Sequence, residues 1–366
     1  MRDALALVLL MLAAEAAGQP ATPVCEALSQ QLAQSPAALE GRVLNETLFE
    51  AAALDCAEIA SAMLARGASV AARDRSGGTA LSVAADAGAE QVATLLLSHG
   101  ADVEHRNLEG STPLLSAALA GRRRMVDLLV QAGADPGPPN LQGVTPVMAA
   151  AFEGDLRMLK PLLAAGADPR AVDSQGKGAL VYAAGRAFPP IVTALLNAGV
   201  AADQIFGHDL TALMWVAGHA NDAPQDDGVE VARMLVKAGV GIDRQDDRGR
   251  TALMIAAERG HAAMVGFLVE AGADPHLRDS DGLRAADLAA DEIVLVQAAV
   301  RSPALTIDLY KGVRGSFRDW DGQLRQPVLL ATANAVIAIA PIDGFEHRTD
   351  VLDSLGLDRT ETDCSR

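Results

Sequence analysis

Residues 112 to 135 read TPLLSAALAGRRRMVDLLVQAGAD, and residues 145 to 168 read TPVMAAAFEGDLRMLKPLLAAGAD. The two stretches align without a gap and share an opening Thr-Pro, paired alanines, a central Gly and a closing Gly-Ala-Asp. The two stretches start 33 residues apart, and a fixed period of this length predicts stacked structural repeats. The opening triplet recurs at the same step of 33 residues as Thr79-Ala80-Leu81, Gly178-Ala179-Leu180 and Thr211-Ala212-Leu213. Thr251-Ala252-Leu253 follows after 40 residues, which indicates seven inserted residues.

Each repeat predicts two helices followed by a projecting hairpin. Thr112 can cap the first helix, and Pro113 is tolerated in its first turn. Gly121 ends that helix, and a second amphipathic helix follows with Met125 and Leu129 on its apolar face. Because one helix pair cannot bury its apolar face alone, the repeats must stack on one another. Half of the chain is hydrophobic but only 3% is aromatic, which favours an interior of closely packed Ala and Leu.

These motifs resemble the ankyrin repeat family, whose signature runs Thr-Pro-Leu, paired Ala, Leu-Leu and Gly-Ala-Asp. The resemblance covers residues 45–301, or roughly seven to eight repeats. A degenerate first repeat starts at Glu46, and a last repeat from Leu283 lacks the Gly-Ala-Asp ending. The predicted fold is an all-α repeat solenoid of helix-turn-helix repeats with projecting hairpin loops, followed by a small β-rich segment.

The N-terminus has the pattern of a secretory signal. Arg2 precedes an apolar run from Ala4 to Ala14, and small residues follow up to Gly18. A basic start, a short apolar core and a small-residue cleavage region predict a signal peptide over residues 1–18. The run is too short to span a bilayer. We therefore expect a periplasmic or secreted protein, with residues 19–44 forming an N-terminal helical cap.

Three cysteines follow the predicted signal peptide, and an exported compartment permits disulfides. We predict a Cys25–Cys56 disulfide because a helix near residues 24–32 would cover the first repeat. Stacked helix pairs advance on the order of 10 Å each, which would leave Cys364 several repeats away unless the tail folds back. Cys364 is then either free or paired between chains.

The repeat period stops at Ser302, and residues 302–366 change to short extended stretches. Residues 305–309 alternate as a half-buried strand does, Asp321-Gly322 predicts a tight hairpin turn, and residues 328–340 predict one or two further strands. The stretch Phe317–Pro327 with its continuation to Cys364 resembles the C-terminal end of periplasmic substrate-binding-type proteins of pyrroloquinoline-quinone alcohol dehydrogenase systems. That resemblance implies a shared docking or assembly element.

Charge and motifs exclude several classes of function. A formal net charge of −17 repels phosphate backbones and anionic membranes, so we expect no nucleic-acid partner. The sequence contains no Gly-x-Ser-x-Gly motif and no Cys-x-x-Cys motif. The acidic stretch His219–Gly228, which contains the seven inserted residues, lacks the ligand spacing of a calcium loop and is predicted to be a solvated loop. We expect no enzyme activity, no cofactor, no metal site and no membrane span.

The family resemblance implies a binding surface at the hairpin tips and on the exposed face of the first helix of each repeat. Cations are frequent at these positions in an otherwise acidic chain, which predicts a locally positive groove and an acidic protein partner. The matching positions are Arg75, Asp86, Arg106, Glu109, Phe152, Glu153, Lys177, Arg186, His208, Arg248, Glu258 and Arg259.

Together these features predict an exported scaffold that presents a preformed ankyrin groove to a protein partner. The tail resemblance favours an accessory role in a periplasmic quinoprotein dehydrogenase system, whose components are then the partner. The alternative is an inhibitor or protective partner of a periplasmic enzyme.

Overall fold

The structure is a computed structural model that describes residues 22–33, 41–218 and 225–289, together with four short strands between residues 307 and 339. The predicted signal peptide, the Asp321-Gly322 turn and Cys364 lie outside the described residues. The described residues fall into two compact units. Unit 1 runs to Ala183 and includes Pro190–Ala201, whereas unit 2 comprises Ala184–Pro189 and the residues from Ala202 onward.

Unit 1 begins with a single helix, which is followed by successive helix pairs. The second helix of each pair is antiparallel to the first, and a short hairpin leads to the next pair. The helices are α1 (Thr22–Ala33), α2 (Arg42–Ala53), α3 (Ala57–Ala65), α4 (Ala80–Ala87), α5 (Glu90–Ser98), α6 (Pro113–Leu119), α7 (Arg123–Gln131), α8 (Pro146–Glu153), α9 (Leu156–Ala164), α10 (Ala179–Gly185, to Ala183 in this unit) and α11 (Pro189–Asn197, from Pro190 in this unit).

Unit 2 continues the same helix-pair pattern and adds the strands. The short strands β1 (Ile205–Phe206) and β2 (Leu210–Thr211) pair antiparallel ahead of the helices. The helices are α12 (Ala212–Gly218), α13 (Gln225–Lys237), α14 (Ala252–Glu258), α15 (Ala262–Glu270) and α16 (Ala285–Leu288). Two antiparallel hairpins follow, formed by β3 (Ile307–Leu309) with β4 (Val313–Gly315) and by β5 (Leu329–Thr332) with β6 (Ala335–Ile339).

Threonine caps start the first helices, as the repeat motif predicts. The Thr112 hydroxyl accepts a hydrogen bond of 3.2 Å from the Leu115 amide, and Thr145 accepts one of 3.3 Å from Met148. Thr251 does the same at the start of α14, 3.3 Å from the Met254 amide. Each cap satisfies one of the free amides at a helix start, and its loss typically costs about 1 kcal/mol.

Small residues set the spacing of the stack within each unit. First helices pack against first helices and second helices against second helices, as in the rows α2–α4–α6–α8 and α3–α5–α7–α9. The paired alanines of the motif lie in these contacts, and Ala84, Ala117 and Ala150 have no exposed surface. Leu96, Leu129 and other leucines of the second helices complete the buried core. The fold is therefore the all-α repeat solenoid that the sequence predicts, with a small β-rich segment.

The hairpin tips form a hydrogen-bonded ladder from one repeat to the next. The Leu108 amide donates to the Ser76 carbonyl at 2.8 Å, Leu141 to Glu109 at 2.9 Å, and Ser174 to Gln142 at 2.8 Å. Within each tip, one carboxylate or amide oxygen accepts two backbone N–H groups, as Asn140 does from Gln142 and Val144. Each tip is thus held both internally and by its neighbour.

The N-terminal helix is covalently joined to the first repeat. Cys25 on α1 and Cys56 at the start of α3 form a disulfide, the pair favoured from the sequence, and Leu28 is 2% exposed on the same helix. The helix of the first repeat begins at Arg42, ahead of the boundary predicted at residue 45. The sequence motif marks only the register of the repeat, whereas the helix extends for as long as its backbone bonds continue.

The structure corrects the prediction for residues 219–228 and describes short strands in the tail. Residues 219–228 were predicted to be a loop, but α13 begins at Gln225, and its thirteen residues exceed the nine of α7. Asp226 and Asp227 lie in the first turn of α13, where carboxylates favour the positive end of the helix dipole. Strands β3, β5 and β6 fall where the tail was predicted to be extended.

We predict that two glycines of similar backbone conformation differ in their tolerance of alanine. Gly133 and Gly143 both have a left-handed φ, 90° and 81°. A Cβ at Gly143 would lie 2.8 Å from the Asp173 Cα on the next tip, whereas a Cβ at Gly133 meets nothing within 4 Å. Gly133→Ala should lower the free energy of unfolding by about 1 kcal/mol, and Gly143→Ala by about 3 kcal/mol because the next tip must shift.

Denaturant unfolding of both variants measures this difference, with Gly133→Ala as the control for backbone strain. Equal losses in the two variants would show that the tips do not pack as closely as the structure indicates.

Candidate functional site

An apolar depression in unit 1 lies across the first helices of three consecutive repeats. We call it the aromatic pocket, and its volume is about 240 Å³. A cavity of about 150 Å³ holds a benzene molecule, so the aromatic pocket has room for one large apolar side chain. It is lined by Leu119, Val144, Met148, Ala149, Phe152, Glu153 and Tyr182.

Large apolar side chains are exposed at this site because of their place in the repeat. Asp86, Leu119 and Phe152 occupy equivalent positions at the ends of α4, α6 and α8. Leu119 is 47% exposed and Phe152 is 43% exposed. A polar or charged residue such as Asp86 is the usual occupant of an exposed position, whereas two neighbouring apolar side chains indicate a contact surface.

Tyr182 closes one side of the aromatic pocket. Its ring meets the Phe152 ring edge-to-face, with 6.2 Å between centroids. Its hydroxyl donates a 2.5 Å hydrogen bond to Oδ2 of Asp173. The other carboxylate oxygen of Asp173 accepts the amides of Gln175 and Lys177. The ring is therefore fixed to a hairpin tip that is itself part of the ladder.

The environment of Tyr182 strengthens its hold on the proton. Partial burial raises the pKa of Tyr182, and the hydrogen bond and negative charge of Asp173 raise that pKa further. The hydroxyl stays protonated and keeps donating to Asp173 throughout the neutral and mildly alkaline range.

In unit 2, the position equivalent to the aromatic pocket is occupied by the Trp215 side chain. Trp215 follows Tyr182 by one repeat, and Gly185 occupies the position that corresponds to Phe152. A Cβ at Gly185 would overlap the Trp215 indole, so the indole takes the space that a side chain would need. Phe206 packs edge-to-face on Trp215 at 5.7 Å. Trp215 therefore packs internally where Phe152 is open to solvent.

All of the predicted site residues are exposed or half-buried, and they divide between the two units. In unit 1, Phe152 and Glu153 line the aromatic pocket, together with Leu119, which the repeat register also places on this face. The remaining unit 1 members are Arg75, Asp86, Arg106, Glu109 and Lys177, and the unit 2 members are Arg186, His208, Arg248, Glu258 and Arg259.

Several of the predicted cations are engaged within the protein. Arg106 donates Nε to the Gly110 carbonyl at 2.9 Å and a second nitrogen to the Pro139 carbonyl of the next tip. His208 lies 2.7 Å from Asp247, and the Arg186 guanidinium lies 5.8 Å from the Phe188 ring centroid. These side chains support neighbouring tips and loops, a role that the repeat register alone does not reveal.

The charges of the predicted residues that lie in unit 1 are balanced. Three of its predicted residues are cations, namely Arg75, Arg106 and Lys177, and three are carboxylates, namely Asp86, Glu109 and Glu153. Glu153 is the charged residue among those that line the aromatic pocket.

The sequence reading missed Tyr182, Met148 and Val144 as parts of the site. One signal was present, since Tyr182 stands in the register position of Ser116 and Ala149. An aromatic ring at a position otherwise held by small residues must project beyond its neighbours. Its contact with Asp173 depends on how the tip folds against α10, which a period count does not give.

Comparisons with known proteins agree with this fold. The chain matches the family described as ankyrin repeats (3 copies) over residues 10–107, 48–140, 102–173, 147–224, 180–279 and 221–295. A crystal structure of the human ASB11 ankyrin repeat domain is similar to it with a TM-score of 0.55 and 26% identity, covering 62% of this chain and 98% of that one.

Two curated relatives match over shorter stretches. Human ankyrin repeat domain-containing protein 63 is 46% identical over 50 residues, which are 14% of this chain and 13% of that protein. A putative ankyrin repeat-containing protein of Treponema pallidum (strain Nichols) is 43% identical over 61 residues, or 16% of this chain and 20% of that protein. The chain thus spans only a small part of the length of these relatives.

The helix pairs, capped by threonine and linked by laddered hairpins, define a repeat protein built to present a surface. Because the family match covers most of its length, the chain belongs to the ankyrin repeat family. Within the described ranges, no helix has the length and apolar character needed to cross a bilayer. The same residues contain no cluster of three His, Cys, Asp or Glu side chains arranged to hold a metal ion.

We predict that Tyr182→Phe lowers the free energy of unfolding by about 1 to 2 kcal/mol at neutral pH, since a hydrogen bond to a carboxylate is lost. The pKa of Tyr182 is raised in the folded protein, so its stabilising effect is complete below the pKa of an unfolded tyrosine, about 10. Above that pH the unfolded chain ionises first, and the difference between wild type and variant should shrink.

Urea unfolding of both proteins at neutral pH and above about pH 10 tests this dependence. Equal stabilities at neutral pH would contradict the hydrogen bond, and a difference that does not change with pH would contradict the raised pKa.

Proposed function

We propose that this chain is an exported protein-binding scaffold that seats an apolar side chain of its partner in the aromatic pocket. The observation that carries the proposal is the exposure of Leu119 and Phe152 around a depression that is apolar on nearly all of its surface. Binding sites of this kind combine a central apolar anchor with a rim of polar groups.

Energetics favour this site over scattered exposed residues. Burial of apolar surface contributes about 25 cal/mol per Å², so one anchoring side chain supplies about 2 to 3 kcal/mol. Phe152 and Tyr182 already pack against each other, and Tyr182 is tied to Asp173. A preformed pocket loses little conformational entropy on binding, which leaves more of the burial energy for affinity.

Export is supported by two independent features. The N-terminal pattern of residues 1–18 is typical of a secretory signal. The Cys25–Cys56 disulfide suits an oxidising compartment, where such bonds form and persist. We place the mature protein in the periplasm or in the secreted fraction.

The accessory role in a quinoprotein dehydrogenase system rests on the tail resemblance from Phe317 onward. In that role the partner is a dehydrogenase component, and the tail supplies a second contact in addition to the one at the aromatic pocket. The chain acts by holding its partner and performs no catalysis itself. A scaffold leaves the turnover of the bound enzyme intact, whereas an inhibitor or protective partner suppresses it, so activity assays on the isolated complex separate these roles.

We predict that a photo-crosslinker in the aromatic pocket captures one discrete partner. With p-benzoylphenylalanine in place of Leu119, irradiation of cells should give a single adduct. Phe152→Ala should reduce its yield about tenfold because the apolar wall is lost. The melting temperature should fall by only a few degrees, since the Phe152 side chain is already partly solvent-exposed.

Two controls accompany this experiment. Val43→Ala removes an apolar side chain of similar exposure in the first repeat and should leave the adduct unchanged. The crosslinker at Gln131, exposed at the end of α7, should give no such adduct. An adduct that survives Phe152→Ala would rule out the aromatic pocket as the binding site.

We predict that a bacterial host with a periplasm exports the protein and removes residues 1–18. N-terminal sequencing of the periplasmic form should begin at Gln19, and mass spectrometry should find Cys25 and Cys56 oxidised. Leu9→Arg interrupts the apolar run and should trap the precursor in the cytoplasm. Recovery of wild-type protein with its N-terminal segment intact in the cytoplasm would contradict the proposed export.

A further inference from the structure

We infer that the partner segment that enters the aromatic pocket carries a large apolar side chain flanked by lysine or arginine. This inference rests on the proposed function and names the chemistry of the partner. It differs from the acidic partner predicted from the sequence. The reason is that the structure shows which charged side chains on this surface already form hydrogen bonds within the protein.

The carboxylates around the aromatic pocket have open acceptors. Glu153 is exposed and lines the pocket itself. Asp86 is exposed one repeat before Leu119 in the same row, and Glu109 is exposed on the hairpin tip of the α6 repeat. Among the contacts of the described residues, none joins any of these three side-chain carboxylates to another side chain or to the backbone.

Two arginines of the same surface already donate hydrogen bonds within the protein. Arg106 uses two of its nitrogens on the Gly110 and Pro139 carbonyls. Arg122 donates Nε to the Asp86 backbone carbonyl at the end of α4. These bonds hold both guanidinium groups against the backbone of unit 1. A partner cation meets carboxylates that are free to accept.

The apolar anchor and the cation of such a segment can be bound at one site. Phe152 exposes 43% of its surface and lines the aromatic pocket together with Glu153. A segment with an apolar anchor and a cation within one to three residues can fill the pocket and reach Glu153 at once. Both contacts lie at one site, so they select one kind of sequence.

Other occupants fit the charges less well. An acidic segment would place its carboxylates beside Glu153, and like charges at that distance repel each other. A second copy of this chain would bring another net charge of −17 against the first. The same field attracts a basic segment at a distance and speeds its encounter with the surface.

Selection from a phage library of random linear peptides against the folded 366-residue chain tests the inference. Enriched peptides should pair Phe, Leu, Met or Trp with Lys or Arg within three positions. Synthetic versions of these peptides should bind about tenfold more weakly to Phe152→Ala and about five- to tenfold more weakly to Glu153→Lys. Raising the salt from about 50 mM to about 500 mM should weaken binding several-fold.

Glu58→Lys is the matched control for Glu153→Lys. Glu58 is exposed on a second helix, and its reversal changes the net charge of the protein by the same amount. It should alter peptide affinity less than twofold, within the usual effect of a remote surface charge. Circular dichroism melts of all variants establish that each remains folded.

The outcomes separate this inference from the proposed function. Peptides that depend on Phe152 but lack cations, or that ignore Glu153→Lys, overturn the basic-partner inference and leave the aromatic pocket as a binding site. Peptides that are indifferent to Phe152→Ala overturn both. Self-association that Phe152→Ala abolishes in analytical ultracentrifugation would make a second copy the occupant and would also overturn the inference.

Discussion

The structure depends on the close contact between alanine-bearing helices of successive repeats. Ala84, Ala117 and Ala150 are fully buried because each lies where one first helix meets the next. No helix pair has another way to remove its apolar face from water. With only 3% aromatic residues, the core obtains its stability from many small contacts and not from a few large side chains.

The hairpin ladder turns this packing into a surface with fixed spacing. In unit 1, the tips at Asn107, Asn140 and Asp173 are each held by their own Asp or Asn oxygen and by a backbone bond to the preceding tip. The ladder also fixes the Tyr182 side chain, because the Asp173 carboxylate accepts hydrogen bonds from both the tip backbone and the tyrosine hydroxyl. The same carboxylate thus links the architecture of the stack to the shape of the aromatic pocket.

The site also shows why charge alone is a poor guide to a partner. Counted along the sequence, the exposed positions favour cations. In the folded protein, Arg106 donates to the Pro139 carbonyl and Arg122 to the Asp86 carbonyl, each in a neighbouring repeat, and Arg250 pairs with Glu258 at 2.7 Å. The capacity of a charged group to bind a partner depends on the bonds it has already made, which only the fold assigns.

The sequence by itself determined the repeat, its period, the threonine caps, the buried alanines and the exposure of Phe152, because these follow from local spacing and from the need of each repeat to stack. The disulfide partner of Cys25 also followed from the order of the elements. Tertiary structure alone decided the start of α13 at Gln225 and the contact of Tyr182 with Asp173. It also decided that the Trp215 indole occupies the space next to Gly185 in unit 2. Those features depend on side chains from different repeats competing for the same space, and a period fixes positions along the chain but not the outcome of that competition.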